Sequence, residues 1–199
     1  MIKVSYFPGC TLRTKAKQLD LYARRCAEVL GVELCEIEDW QCCGGVFVSN
    51  NDEIASKLSS LRALIAAKEA ERPLVTVCSA CHNVIKQTNY QITNDEAFRN
   101  RANLYLAQDK EKREPYSGET KVMHYFELLR DVVGFDKIKE KVVNPLTVTN
   151  SAESHGAELA VTACPLCKYN LVHNGSNIPV VYFTELLAEA LGVKEDINA

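Results

Sequence analysis

The sequence lacks the features that mark several large classes of protein. Its 23 basic and 26 acidic residues give a formal charge of −3, so there is no basic surface of the kind that binds nucleic acid. No apolar run reaches the roughly 18 to 20 residues that a membrane-spanning helix needs. The first residues show neither the charged region nor the apolar core of a secretory signal. We therefore expect a protein of a reducing, cytoplasmic compartment.

Short apolar segments alternate with segments of helical periodicity. The predicted order is a strand over residues 3–7, a helix over 15–30, a strand over 32–37, a helix over 49–71 and a strand over 74–77. Residues 90–117 are polar and charged, and we expect a solvated helix followed by a loop there. This alternation predicts an α/β fold of Rossmann-like type with a mainly parallel sheet, in which ligands bind beyond the carboxyl ends of the strands.

Part of the chain is repeated. Residues 75–84 are echoed by residues 161–170, and both copies place a Cys-x-x-Cys motif between a strand and a helix. Residues 122–129 are likewise echoed by residues 180–187, whereas the opening third of the chain has no second copy. The sequence therefore predicts a complete module over residues 1–120, followed by a linking segment and a partial second module over residues 121–199.

The nine cysteines are concentrated in the first module, where seven of them lie before residue 82. Cys10 is followed after 31 residues by the adjacent pair Cys42 and Cys43, and then after 34 residues by Cys78 and Cys81. Each motif follows a predicted strand, so we expect five thiols to converge from three loops at one edge of the sheet. Cys26 and Cys35 lie outside these motifs, and we interpret them as packing residues.

Thiolates are soft ligands that favour zinc, copper(I) or iron–sulfur centres. A structural zinc ion takes four ligands, usually from two short motifs. Here there are five thiols, and adjacent cysteines in an extended loop point apart, so both can bind only a body larger than one ion. A polynuclear iron–sulfur cluster meets this condition better than zinc, which stays an alternative. The glycines after Cys43 would let backbone amides approach the cluster sulfurs.

This five-cysteine spacing with its Cys-Cys-Gly-Gly loop resembles the cysteine-rich CCG-domain family, and within it the B subunit of heterodisulfide reductase. The likeness covers residues 1–146 and resumes at about residue 156. It implies that Cys10, Cys42, Cys43, Cys78 and Cys81 hold a noncubane [4Fe-4S] cluster. It also implies an oxidoreductase of anaerobic metabolism that cleaves a disulfide, such as that of coenzymes M and B, with two electrons.

The same resemblance implies two partners, a ferredoxin-like iron–sulfur subunit and a flavin-containing subunit. Cys164 and Cys167 match only the last Cys-x-x-Cys of the family's second motif, so they are weaker ligand candidates for a second site. A redox dithiol is an alternative for this pair. Two further hypotheses for the whole chain are an electron-relay subunit without a substrate of its own and a zinc-stabilised interaction module.

Overall fold

The computed structural model describes residues 1–45, 52–109, 113–143, 159–173 and 178–193. The strands are β1 (Ile2–Tyr6), β2 (Val32–Glu36), β3 (Leu74–Thr76), β4 (Val122–His124), β5 (Ala160–Thr162) and β6 (Val180–Tyr182). The helices are α1 (Cys10–Thr14), α2 (Lys17–Val29), α3 (Leu58–Glu69), α4 (Ser79–Asn94), α5 (Glu96–Leu106), α6 (Tyr125–Glu127), α7 (Phe135–Lys141), α8 (Pro165–His173) and α9 (Phe183–Ala190). A 3-10 turn (Ala55–Lys57) precedes α3, and a π-helical segment (Leu128–Val133) follows α6.

The larger sheet has four strands in the order β2-β1-β3-β4. Its β1–β3 pair is parallel, with Tyr6 opposite Val75, and so is its β3–β4 pair, with Val75 opposite Met123. From β1 the chain passes to β2 on one side and later to β3 on the other. The carboxyl ends of β1 and β3 therefore flank a topological switch point, the place where ligands bind in such sheets. The predicted mainly parallel α/β fold is confirmed.

The central strands form the core of this sheet. All three residues of β3 are buried, as expected for a short apolar run in a parallel sheet that is covered on both faces. In β1 the last three residues are buried, and the two that precede them are exposed. The carboxyl ends of β1 and β3, which precede Cys10 and Cys78, are thus anchored in the buried centre of the sheet.

The contacts divide the chain into two discontinuous units. The thiol unit comprises Lys3–Cys10 and Leu34–Leu128, and the companion unit comprises Met1–Ile2, Thr11–Glu33 and Leu129–Ala199, apart from the residues outside the described ranges. The boundary near residue 120 that the repeat suggests stays a prediction. In the described part of the chain, no helix is both long enough and apolar enough to cross a membrane.

Two helices differ from the sequence prediction. The helix expected from residue 49 begins later, because the Asp52 carboxylate accepts hydrogen bonds from the amides of Ile54 and Ala55, both at 2.8 Å, ahead of the 3-10 turn. Residues 46–51 lie outside the described part.

The polar segment after residue 90 is not merely solvated. A second helix, α5, is capped by Asp95, whose Oδ1 accepts from the Phe98 amide at 2.9 Å, and α5 buries Phe98.

Candidate cysteine-ligated site

The five motif cysteines all lie in the thiol unit, just beyond strands β1, β2 and β3. Cys10 begins α1 after β1, the adjacent pair Cys42 and Cys43 follows β2, and Cys78 precedes α4 with Cys81 in its first turn. The sheet topology explains this placement, because parallel strands end at the same edge. The convergence expected from the spacing is therefore present in the structure.

The sulfur atoms contact one another across the three loops. The Sγ atoms of Cys42 and Cys10 are 3.3 Å apart, and those of Cys43 and Cys81 are 3.4 Å apart. Cys78 also lies within hydrogen-bonding reach of Cys81. Cys43, Cys78 and Cys81 are buried, whereas Cys42 is exposed and Cys10 is half-buried. The group has a buried triad on one side and a more open pair on the other.

Two glycines allow this close convergence. A β-carbon on Gly9, whose φ is +80°, would lie 2.7 Å from Cys81 Sγ. A β-carbon on Gly45 would lie 3.1 Å from Val84 Cγ2 and 3.5 Å from Cys43 Sγ. The φ of Gly9 is in the left-handed region, which is strained for other residues. Gly9 thus serves both the turn after β1 and the space that the Cys81 sulfur occupies.

The protein surroundings divide the thiols into two kinds. The neighbouring Cys81 thiol lowers the pKa of Cys78 to about 6, against the effect of burial and with help from the amides of Cys81 and Ala80. The same Cys81 thiol lowers the pKa of Cys43 to about 7, again against burial and with help from the Gly45 amide. Two thiolates therefore form easily within the buried triad, which is the state that metal ligation requires.

The other two shifted thiols keep their protons. Contacts with Cys43 and Cys78, together with burial, raise the pKa of Cys81 far above its ordinary value. Burial and the neighbouring Cys10 thiol raise the pKa of Cys42 to about 11, although the Gly44 amide opposes this. A centre with positive charge would be needed to deprotonate these groups, as metal ions do for coordinating thiols.

A pair of histidines lies directly behind the Cys78–Cys81 turn. His124 accepts a hydrogen bond at Nδ1 from the Phe126 amide at 3.2 Å, so its proton lies on Nε2, which donates to the Val77 carbonyl at 2.9 Å. The ring of His82 lies edge-on to His124, with the ring centroids 5.4 Å apart. Burial lowers the pKa of both imidazoles, so both are neutral at pH 7.

Glu127 lies between this histidine pair and the surface residue Lys86 and contacts all three side chains or their backbone. Its Oε2 accepts from the His124 amide at 2.7 Å and lies 3.3 Å from His82 Nε2, without the alignment of a hydrogen bond. Its Oε1 is 3.4 Å from Lys86 Nζ. The sequence analysis did not identify this contact. The three-residue spacing from His124 to Glu127 is that of a capping box, and it could have revealed the contact.

The Cys42–Cys43 loop is braced by helix α3. Ser59 Oγ donates to the Cys42 carbonyl at 2.9 Å. Arg62 donates to Gln41 Oε1 at 3.3 Å. It also forms a bidentate ion pair with Asp109, in which both N–O distances are 2.7 Å. These polar contacts were not predicted, because they join residues that are distant in the sequence. They hold the loop that presents two of the five thiols.

Cys164 and Cys167 lie in the companion unit, between β5 and α8. Cys164 is half-buried, and its amide donates to Thr162 Oγ1 at 3.0 Å, while Cys167 is exposed. All nine cysteines lie in the described ranges, and none of them forms a disulfide. Cys26 is buried in α2, and burial raises its pKa to about 12, in keeping with a packing role.

The donor set of the thiol unit suits a soft, polynuclear centre better than a hard cation, because it consists of sulfur atoms alone. In the described ranges, no three side chains of the His, Cys, Asp and Glu types are arranged as ready ligands of a single metal ion. The fit between this site and an iron–sulfur cluster therefore rests on two features. Five thiols converge, two of which ionise readily, and glycine backbone lies beside the sulfur atoms. Ligation by these five residues stays a prediction.

The comparisons with known proteins agree with this arrangement. Residues 4–86 match the family model of the CCG cysteine-rich domain. The chain is 28% identical over 197 residues to the B subunit of the ferredoxin:CoB-CoM heterodisulfide reductase of Methanosarcina mazei, and the match covers 98% of this chain and 61% of the relative. The B subunit of the ferredoxin/F420H2-dependent CoB-CoM heterodisulfide reductase of Methanosarcina acetivorans matches to the same extent.

A third relative is named for a different reaction. The 8-methylmenaquinol:fumarate reductase membrane anchor subunit of Wolinella succinogenes is 29% identical over 152 residues, which is 76% of this chain and 51% of the relative. Among solved structures, a hypothetical protein from Helicobacter pylori shares the fold. Its TM-score is 0.69 at 12% identity, over 97% of this chain and 49% of that one.

Fold and site together define a cysteine-rich α/β protein with a thiol cluster at the switch point of a parallel sheet. Residues 4–86 are similar to the cysteine-rich domains that the CCG family model describes. The similarity to the B subunits of heterodisulfide reductases is not limited to this domain and extends over nearly the whole chain. It spans about half to three fifths of the length of these curated relatives.

Proposed function

We propose that this protein is an iron–sulfur subunit of a heterodisulfide reductase-like complex, and that Cys10, Cys42, Cys43, Cys78 and Cys81 hold its cluster. The observation that carries the proposal is the contact of sulfur atoms from three loops, at 3.3 Å and 3.4 Å, beyond the carboxyl ends of adjacent strands. The family of the matching domain and the names of the relatives support the same reading.

The proposed reaction is the two-electron reduction of a disulfide. The S–S bond breaks, two electrons arrive from a partner subunit, two protons come from water, and two thiols leave. The bound cluster would supply electron storage and an iron atom that can take a substrate sulfur. The chain itself supplies the thiol ligands, the glycine backbone that lets them converge, and the neutral His82–His124 pair behind them.

The finer features follow the resemblance. We propose a noncubane [4Fe-4S] cluster and a substrate such as the disulfide of coenzymes M and B, since two relatives are named for a CoB-CoM heterodisulfide. We also propose that the protein works in the cytoplasm, in anaerobic metabolism, with a ferredoxin-like iron–sulfur subunit and a flavin-containing subunit. Residues 1–120 would form the complete module. Residues 121–199 would form the link and the partial module, where Cys164 and Cys167 are candidate ligands of a second site.

A second candidate is an electron-relay subunit without a substrate of its own. The similarity to a fumarate reductase membrane anchor subunit favours it, because that relative serves a different reaction. The two candidates share the cluster and differ in whether a disulfide is reduced at this chain.

The first test is metal and sulfide analysis of anaerobically purified protein, together with electron paramagnetic resonance. We expect about four iron and four sulfide per cluster. About one zinc per chain without labile sulfide would contradict the cluster assignment and support the zinc-stabilised interaction module instead. The second test adds a disulfide to the reduced protein. If the disulfide oxidises the reduced protein stoichiometrically, the result supports the disulfide reductase. If a redox partner oxidises the protein and disulfides do not, the result supports the electron-relay subunit.

A further inference from the structure

Cys78 is flanked by a backbone hydrogen bond on each side. Its own carbonyl accepts from the His82 amide at 2.9 Å, at the start of α4. The carbonyl that precedes it, that of Val77, accepts from Nε2 of His124 at 2.9 Å. Cys78 has an extended backbone, with a φ of −77° and a ψ of 117°. Because each residue has only two soft backbone dihedrals, bonds on both sides fix the direction in which the Cys78 side chain leaves the backbone.

The Val77 carbonyl lies just where the ladder of the sheet ends. Strand β3 finishes at Thr76, and Val77 after it is 0% exposed. The register places Thr76 opposite His124, so the imidazole comes from the end of the adjacent strand β4. Ser79 Oγ lies 3.4 Å from the same Nε2 atom. A side chain of β4 thus takes over the hydrogen bonding of a buried carbonyl, which would be costly to leave unsatisfied.

The His124 ring is held in one orientation and one tautomer. Its Nδ1 accepts from the Phe126 amide at 3.2 Å, and its backbone amide donates to Glu127 Oε2 at 2.7 Å. These two bonds form the capping box at the start of α6. Because the Phe126 N–H occupies Nδ1, the ring proton lies on Nε2 and faces Val77. His124 is therefore a fixed hydrogen-bond donor, and it is 8% exposed.

The second copy of the repeat has another residue at this position. Tyr182 lies opposite Thr162 on the β5–β6 pair, as His124 lies opposite Thr76 on the β3–β4 pair. A tyrosine ring has no nitrogen, so it provides neither the Nδ1 acceptor nor the Nε2 donor. The Tyr182 ring contacts a cation instead, since Lys168 Nζ lies 4.1 Å from its centroid. The copy with five thiols carries the imidazole, and the copy with two thiols carries the phenol.

We propose that His124 is a positioning residue for the cysteine-ligated site, and that its Nε2–H holds the Val77 carbonyl so that the Cys78 sulfur stays directed toward Cys81. This inference rests on the proposed function, because it concerns the same cluster ligands. Both ring nitrogens are engaged with backbone groups, so the ring acts through Cys78 and not as a ligand. Hydrogen bonds that orient metal ligands typically change metal affinity by about 10- to 100-fold.

Two substitutions separate this role from helix capping. In His124→Asn, the side-chain oxygen replaces Nδ1, so the acceptor for the Phe126 amide is kept and the donor to Val77 is lost. In His124→Gln, the side-chain NH₂ replaces Nε2–H, so the donor is kept and the capping acceptor is lost. After anaerobic reconstitution, His124→Asn should release its iron to a chelator about tenfold faster than the wild type, with an altered electron paramagnetic resonance spectrum. His124→Gln should stay close to the wild type in both.

A role in capping alone would give the reverse order and would overturn the inference. Equal iron release by the wild type and His124→Asn would overturn it as well, while the proposed function stands. Circular dichroism shows whether each metal-free variant is folded. If His124→Asn does not fold, His124→Gln decides alone, because rapid iron release from it would contradict the role of the donor.

A measurement on the metal-free wild-type chain needs no iron. Nitrogen NMR of the imidazole of His124 should show its proton on Nε2, and a proton on Nδ1 would overturn the inference alone. A wild-type chain that takes up no iron–sulfur cluster would overturn the proposed function, and this inference with it.

Discussion

Gly9 and Cys81 are packed so closely that a β-carbon on residue 9 would lie 2.7 Å from the Cys81 sulfur. The backbone at Gly9 also has a φ of +80°, which other residues adopt at a cost. Gly9→Ala should therefore push Cys81 away from Cys43 and abolish most iron binding in anaerobic reconstitution. Iron per chain and the electron paramagnetic resonance signal measure the effect.

Gly134→Ala is the matched control for this change. Gly134 has a φ of +83°, and a β-carbon there would meet nothing within 4 Å. Both variants should lose about 1–3 kcal/mol of unfolding free energy through backbone strain, and Gly9→Ala should lose more because of its clash with the Cys81 sulfur. Iron binding should survive in Gly134→Ala alone. Equal iron content in the two variants would mean that Gly9 matters only for the turn.

Replacement of single cysteines should separate ligands from packing residues. Cys43→Ser or Cys81→Ser should reduce the bound iron several-fold, because each removes a sulfur from the buried triad. Cys35→Ser, outside the motifs on β2, should keep wild-type iron. The readout is iron and sulfide per chain after reconstitution. Loss of iron in Cys35→Ser, or full iron in Cys81→Ser, would contradict the proposed ligand set.

The stability of the metal-free protein should depend on pH in two opposite ways. The folded pKa values of Cys43 and Cys78, about 7 and about 6, lie below the ordinary thiol value of about 9. Between these values the unfolded chain binds more protons, so the free energy of unfolding should rise with pH from about 6 to about 9. The pKa values of Cys42 and Cys81 are raised, so the stability that their protons contribute is lost above about pH 9.

Urea unfolding under reducing conditions at a series of pH values measures this profile. The double variant Cys43→Ser/Cys78→Ser should lose the rise between about pH 6 and 9, because serine does not ionise there. A flat profile in the wild-type protein would show that the thiols do not perturb one another as the structure indicates.

Tyr116 should be important for stability through a buried polar network. Its hydroxyl donates to Asn89 Oδ1 at 2.5 Å and accepts from the Thr120 amide at 3.2 Å. Tyr116→Phe leaves both partners unsatisfied and should cost about 2 kcal/mol. Tyr105→Phe, at a side chain that is 47% exposed, should cost about 0.5 kcal/mol or less. Chemical denaturation of both variants checks this, and equal losses would contradict it.

Several features of the fold and site could be predicted because they depend on neighbours in the sequence. The apolar run of β3 and the periodicity of α2 are local signals, so their type was predicted correctly and their ends to within about two residues. The helix predicted over residues 49–71 corresponds to α3 and the 3-10 turn before it, and its start was predicted too early. There the Asp52 carboxylate competes for backbone amides, and propensity alone does not show such a contact.

The sequence alone determined which thiols could meet, because Cys10, the Cys42–Cys43 pair and the Cys78–Cys81 turn each follow a recognisable strand. Only the tertiary structure decided which sulfurs touch, which of them ionise and which glycine makes room for Cys81. It also decided that Val161 is exposed where its repeat partner Val75 is buried. The reason is physical: burial and the field at a thiol are set by atoms from distant segments, and a repeated sequence does not repeat its surroundings.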